Sequence, residues 1–409
     1  MKHLGLAALA SATMLMAGTA AAQSVPPTKG PAVGKTPAWF LQGSFPDPGG
    51  RTSVDANGVV TVLPRPAPPP STAPRPMMGC RGSVVCQNRD GPKRGEMQRV
   101  QWAQTLGYRF TYPIHLPEGI GGVPAVALDS KHNLWVFQRK PAGQPQLLKY
   151  DPSGKLIMTV GDDVIGHADK AHGMAVDAQD NVWILDTARA TAKKVSPDGK
   201  LLQTIGTDGH PGDWVEEKGQ RYLWEPVMIA FGKNGDIYIA QGHGNESPNV
   251  TDSDDPTNNI GAARILQLDK NGKFIRQWFG HNVGRGKFLN AHGLGVDPRT
   301  GDVWIGDRED YRIVIYSGDG KYLRTFQTEN LVCAIQFDRN GDPWMASGQD
   351  GQFLKLDRNT GKVIGAVGNG MGIGSGQFIE ASYWVFDVNN NLWAGDTSVG
   401  RVTFMSRKR

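Results

Sequence analysis

Three observations predict an all-β chain closed into a six-bladed β-propeller. One strand–turn–strand unit occurs six times, an aromatic residue holds a fixed place in each copy, and the composition favours turns. The 409 residues include 53 Gly, 27 Pro and 11 Trp, and no long helical pattern stands out. A chain of this length holds one large β domain or two ordinary ones. The net charge of +5 is slight. No dense Lys/Arg stripe with aromatic interleaving is present, which argues against a nucleic-acid partner.

Residues 1–22 read as a secretory signal peptide. Lys2 supplies the positive start, Leu4 to Met16 the short apolar run, and Ala20-Ala21-Ala22 the small-residue cleavage pattern before Gln23. The apolar run is too short to span a bilayer comfortably, and no later segment is long enough, so no membrane insertion is expected. A periplasmic or secreted location follows. Cys80 and Cys86 lie close together, and in an oxidising compartment they favour a local disulfide over a metal pair. Cys333 falls in an apolar strand and reads as a buried thiol.

Residues 23–96 form a Pro-rich arm or linker. Pro64-Arg65-Pro66-Ala67-Pro68-Pro69-Pro70 and Pro74-Arg75-Pro76 favour extended, unpacked backbone. One short hairpin is expected within it, over Asp55 to Leu63. Residues 97–409 carry the repeat. Its turns start at Asp129, Asp177, Gly232, Asp297, Asp338 and Asp387, at intervals of roughly 40 to 65 residues. The aromatics that follow are Trp135, Trp183, Tyr238, Trp304, Trp344 and Trp393. Asp, Asn and Gly at these turns supply the positive φ that tight hairpins need. Third and fourth strands follow in most copies, such as Leu147 to Leu156 and Arg264 to Phe274. Four strands per unit at this period is the pattern of a propeller blade. The last copy ends at Arg401-Val402-Thr403-Phe404-Met405 with three strands. Its fourth is expected from the N-terminal side, at Arg99-Val100-Gln101-Trp102-Ala103. That clasp would close the ring and remove open sheet edges.

Blade geometry places candidate residues near the axis. The start of the innermost strand and the end of the second share one face. Strand-one mouths fall at Pro124, His172, Val227, His292, Cys333 and Ser382. Strand-two ends fall at Arg139, Thr187, His243, Arg308, Gln349 and Thr397. His172 and His292 stand on blades 2 and 4. Two imidazoles at equivalent axial positions suit a transition metal with exchangeable sites, or two hydrogen-bonded channel histidines. Arg139 and Arg308 are expected on the same face, either in surface salt bridges or steadying developing negative charge. His243 is placed as a third metal ligand, a general base or a loop residue. An insertion in blade 3, Asn245 to Asn259, reads as a solvated loop or a lid. Its Asp252, Asp254 and Asp255 raise the question of a structural calcium, but their spacing is not that of an EF-hand loop.

These segments resemble NHL-repeat propellers and, within them, the peptidyl-α-hydroxyglycine α-amidating lyase family, over roughly residues 120–405. Val136-Phe137-Gln138-Arg139 is similar to a family stretch with a catalytic arginine. His172-Gly173-Met174 and His292-Gly293-Leu294 are similar to two of its zinc-histidine segments. Gly306-Asp307-Arg308-Glu309 is similar to the segment bearing its second active-site arginine. The family's third zinc histidine falls at Ser382, and its catalytic tyrosine falls at His243. The resemblance implies a divalent metal, zinc, at His172 and His292, and strand register offers His243 as the replacement third ligand. It implies lyase or hydrolase chemistry on a small molecule or peptide, with Arg139, Arg308 and His243 as catalytic residues. The alternative is a non-catalytic propeller with a degenerate metal site that binds a small molecule or a protein. A monomer is expected.

The mature chain is expected to start at Gln23 and to carry the Cys80–Cys86 bridge. Intact mass before and after reduction checks both. A mass unchanged by reduction, with thiol alkylation as control, would refute the bridge.

Overall fold

The computed structural model describes residues 52–54, 60–62, 102, 104–139, 144–168, 170–243, 263–280, 286, 288, 290–308 and 311–407. The signal segment, most of the Pro-rich arm, the cysteine pair and the blade 3 insertion lie outside these residues. The expected hairpin in the arm is present with its strands further apart: Thr52–Val54 pairs antiparallel with Val60–Val62. Among the described residues no helix is long and apolar enough to cross a membrane.

Six four-stranded antiparallel sheets follow one another in chain order. Their innermost strands are Ala125–Leu128, Ala171–Val176, Pro226–Phe231, Ala291–Val296, Ala334–Phe337 and Ala381–Phe386. Each packs against the next, and the last packs against the first, so the sheets form a closed six-bladed propeller. The Trp residues that mark the repeat fill the space between blades. Trp135, Trp183, Trp304 and Trp344 are all fully buried.

The turn residues do the work the sequence assigns to them. Asp129 Oδ1 accepts from the backbone of Lys131 and Asn133 at 3.0 and 2.9 Å. Asp177 and Asp387 repeat the arrangement with Asn181 and Asn391. The strained positions of these turns fall on His132, Asp180 and Asn390, with φ of 63°, 63° and 60°; glycine serves in three others, Gly235, Gly301 and Gly341. A lysine of strand three completes the unit in three blades. Lys149, Lys194 and Lys355 lie over Trp135, Trp183 and Trp344 at 4.6, 5.4 and 5.9 Å. The same ammonium groups pair with Asp129, Asp177 and Asp338 at 3.4, 3.0 and 3.5 Å. Aspartate, indole and lysine therefore tie the turn to the third strand.

The ring closes nine residues later than the sequence suggests. Tyr108–Thr111, not Arg99–Ala103, is the fourth strand of blade 6. It pairs with the last strand from Tyr108↔Arg407 to Thr111↔Phe404. The Tyr108 hydroxyl donates to the Asn390 carbonyl at 3.0 Å and accepts from Arg407 Nε. Of the expected clasp only Trp102 is described, and it is committed to blade 5. Its amide donates to Gln352 Oε1 at 2.8 Å, its carbonyl accepts from Gln352 Nε2 at 2.6 Å, and its indole donates to Asn330. Side-chain partners on blade 5 thus claim the first aromatic stretch and leave the second for the clasp.

Truncation through residue 76 should melt like the full chain, because the clasp survives. Truncation through residue 111 should aggregate, because it exposes the edge of the last strand of blade 6. Size-exclusion chromatography with a thermal scan checks this; a soluble, cooperatively melting product from the longer truncation would sink the closure.

Candidate metal centre

The mouths of alternate blades are built by the same local device. In blade 2 the ladder pairs Ala171 with Asp186 and resumes at Met174 with Ile184. In blade 4 it pairs Ala291 with Asp307 and resumes at Gly293 with Gly306. His172 and His292 sit in these register breaks, and bulged residues of this kind are aimed out of the ladder. The glycine after each histidine has a steric reason. A Cβ at Gly173 would strike the Val227 carbonyl, and one at Gly293 would lie 3.2 Å from Ala334 Cα. Carboxylates at the ends of the second strands hold the approach. Asp186, Asp307 and Asp396 accept from the amides of Lys170, Asn290 and Glu380 at 3.1, 2.8 and 3.3 Å.

The structure brings His172, His243 and His292 together. Their ring centroids lie 4.8 to 5.3 Å apart, and one donor atom from each falls within 4.8 Å of the others. All three are buried, at 2, 7 and 2 % exposure. The Nδ1 of His172 is 2.9 Å from the Val227 carbonyl, and that of His292 is 2.6 Å from the Cys333 carbonyl. A carbonyl only accepts, so Nδ1 carries the proton in both rings and Nε2 keeps its lone pair. Such a second bond is what fixes a metal-ligating imidazole in place. The residues therefore fit a divalent ion of the kind that nitrogen donors favour.

The electrostatics agree. Burial pushes all three imidazoles well below the ordinary histidine value. Next in weight is the charge of Arg139 for His172, and of Arg308 for His243 and His292. All three are neutral donors at pH 7. Arg308 is buried at the end of strand two of blade 4, its amide bonded to the Asn290 carbonyl at 3.2 Å. Arg139 is half-buried, and its Nε donates to the Ala171 carbonyl at 2.9 Å. Both expected arginines thus flank the histidines.

Two residues without a role in the sequence reading join them. Lys170 lies close enough that its charge depresses each of the three imidazoles. Burial, then the like charge of Arg139, brings it down to about 8, against the pull of Glu225 and Glu380. Tyr383 is buried at 1 % exposure, its ring 5.3 Å from that of His172 and 6.0 Å from that of His292. Blade 6 therefore presents a phenol ring to the histidines from the position after Ser382. A signal for Lys170 exists in the sequence. Two residues before the mouths of blades 2, 3, 4 and 6 stand Lys170, Glu225, Asn290 and Glu380, a polar column beside the one that was read.

No family model matches the chain. The mouse peptidyl-glycine alpha-amidating monooxygenase is 25% identical over 284 residues, 60% of this chain. The Drosophila melanogaster peptidyl-alpha-hydroxyglycine alpha-amidating lyase 1 is 26% identical over 260 residues, 55% of this chain and 43% of that protein. Its homologues include amidating lyases. Human NHL repeat-containing protein 3 is 27% identical over 258 residues, 59% of this chain and 67% of that protein. The match spans only 26% of the mouse protein's length. Among solved structures, a gluconolactonase from Xanthomonas campestris superposes with a TM-score of 0.50 at 17% identity, covering 78% of this chain and 96% of that one. A streptogramin B lyase superposes with a TM-score of 0.50 at 13% identity, covering 74% and 98%. These likenesses speak for the propeller fold.

The histidine cluster should make the metal-free protein acid-sensitive. The imidazoles are neutral in the fold and ordinary once unfolded, so unfolding takes up protons below about pH 6.5. Stability from this source is complete above that value and is lost as pH falls toward the depressed folded values. In chelator-treated protein the melting midpoint is expected to drop between about pH 7 and 5, and to drop less steeply when all three histidines are replaced by Gln. Calorimetry at stepped pH checks it; equal slopes for the two proteins would refute the linkage.

Proposed function

We propose that the chain is an exported, monomeric metalloenzyme of lyase or hydrolase type. It acts at the top face of the propeller on a small molecule or peptide end that carries a carboxylate. The observation that carries this reading is the convergence of three neutral, buried imidazoles beside Arg139, Arg308 and Lys170. His172, His292 and His243 hold the ion, which we take to be zinc because three nitrogen donors with room for an exchangeable ligand suit it. A zinc ion held there supplies Lewis acidity toward a hydroxyl or carbonyl oxygen.

The chain's own residues do the rest. Arg139 and Arg308 bind an anionic group and steady negative charge as it develops. Lys170 stays mainly cationic at neutral pH and adds a third positive charge on the same side. Glu225 and Glu380 limit that excess and discriminate against ligands with too much negative charge. His243 follows the second strand of blade 3, and its ring meets those of His172 and His292. Its place beside the other two imidazoles favours the role of ligand over that of base. Relatives named as amidating lyases support lyase chemistry for a propeller of this kind.

Protein purified without a histidine tag should contain about one divalent ion per chain, the occupancy expected of a single three-histidine site. Removing either His172 or His292 should abolish that stoichiometry. In cobalt-loaded protein, acetate should perturb the visible spectrum, and Lys170→Met should raise the acetate concentration required about tenfold. Elemental analysis and absorption titration check these outcomes. Failure to take up any divalent metal at micromolar concentration would replace this reading with that of a ligand-binding propeller.

A further inference from the structure

Blade 6 differs from blades 2 and 4 at the residues that face the axis. Where those blades carry His172-Gly173 and His292-Gly293, it carries Ser382-Tyr383. The ladder breaks at the same place, pairing Ala381 with Asp396 and resuming at Trp384 with Ala394. The glycines of blades 2 and 4 lie hard against the next blade. Tyr383 instead donates its amide to the Pro124 carbonyl at 3.3 Å and sends its ring to the histidines.

The phenol is used in two ways. Its ring lies within 9° of parallel to His292 and is tilted by 61° to His172. It therefore fills the space that a third imidazole from blade 6 would need. Its hydroxyl donates to the backbone carbonyl of His292 at 2.7 Å. His292 is thereby held from three sides. Its amide donates to the Asn290 carbonyl at 2.7 Å within blade 4, its Nδ1 to Cys333 of blade 5, and its carbonyl accepts from Tyr383 of blade 6.

We infer that Tyr383 is a positioning residue of the site. It locks the backbone of His292 across the axis, walls off the blade 6 side, and leaves His243 as the third donor in place of a residue at Ser382. A buried carbonyl that loses its donor costs stability, so the bond constrains the backbone of His292. Second-sphere partners of this kind change metal affinity by about tenfold to a hundredfold when removed.

The test uses the full chain without an affinity tag, cobalt(II) as probe, and the variants Tyr383→Phe and Ser382→His. Its cobalt arm rests on the metal-centre reading above. Tyr383→Phe keeps the ring and removes only the hydroxyl. It should bind cobalt about tenfold more weakly than wild type, with a changed visible spectrum, while the metal-free protein still melts cooperatively at a midpoint lowered by the unsatisfied His292 carbonyl. Ser382→His should not tighten binding, because the phenol ring occupies the space its imidazole needs. Wild-type affinity and spectrum in Tyr383→Phe, or tighter binding in Ser382→His, overturns the inference. If wild type takes up no cobalt, the metal reading falls, and the positioning role is read in the metal-free protein from the His292 ring nitrogens by NMR. Wild type should then show a single Nδ1–H tautomer and Tyr383→Phe a mixture; identical ring signals overturn it.

Discussion

The pairing of Tyr108–Thr111 with the last strand is the constraint on which the rest of the molecule depends. Without it the sixth blade has three strands and the array is open. With it the innermost strands of blades 1 and 6 meet, and the six mouths surround one axis. The bonds that fix the two imidazoles cross between blades. His172 of blade 2 is held by blade 3, and His292 of blade 4 by blade 5 and blade 6. None of these partners is near in sequence, so the geometry of the histidines is a property of the closed ring and of no single repeat.

The ring also explains how buried polar groups are tolerated at its centre. A buried imidazole without a hydrogen bond is costly. Here the mouth of the neighbouring blade supplies the carbonyl: Val227, in a register break of blade 3, and Cys333, just ahead of the first strand of blade 5. The bulge turns each histidine out of its own sheet, and the mouth of the next blade supplies the acceptor. This arrangement lets histidines recur at one position of a repeat without disrupting the inter-blade packing.

The fold was legible because its information is local. A turn-start aspartate, an αL residue and an indole recur in five of the six units, with Gly232 and Tyr238 in the third, and the aspartate and αL residue make their contacts inside their own hairpin. The clasp was less legible, since Trp102 and Tyr108 both head short stretches able to pair as strands. What separates them is tertiary: Gln352 and Asn330 bond Trp102, and no pattern within the stretch records that. The site divides in the same way. His172, His292, His243 and both arginines follow from blade register alone, since each has a fixed place at the mouth or the strand end. Tyr383 does not, because register points to Ser382, and only the conformation of the bulge decides which of two consecutive residues reaches the histidines. Lys170 escaped for a simpler reason: its column is aligned, but its side chain reaches the imidazoles only once neighbouring blades are in place.

The charges around the cluster set what can occupy it. Three neutral imidazoles contribute no negative charge, and the charges that act most directly on them are those of Arg139, Arg308 and Lys170. A divalent ion bound by the histidines would keep its full charge in a buried setting that already repels cations. That arrangement is tolerable only when an anion arrives with the ion or is held beside it, because Coulomb terms in such a site are little screened. Affinity for a metal and affinity for an anionic ligand would consequently be coupled, each raising the other by the same factor. A metal site ringed by carboxylates would be satisfied before any ligand came. A metal held by these histidines would stay electrostatically incomplete until an anion entered beside it.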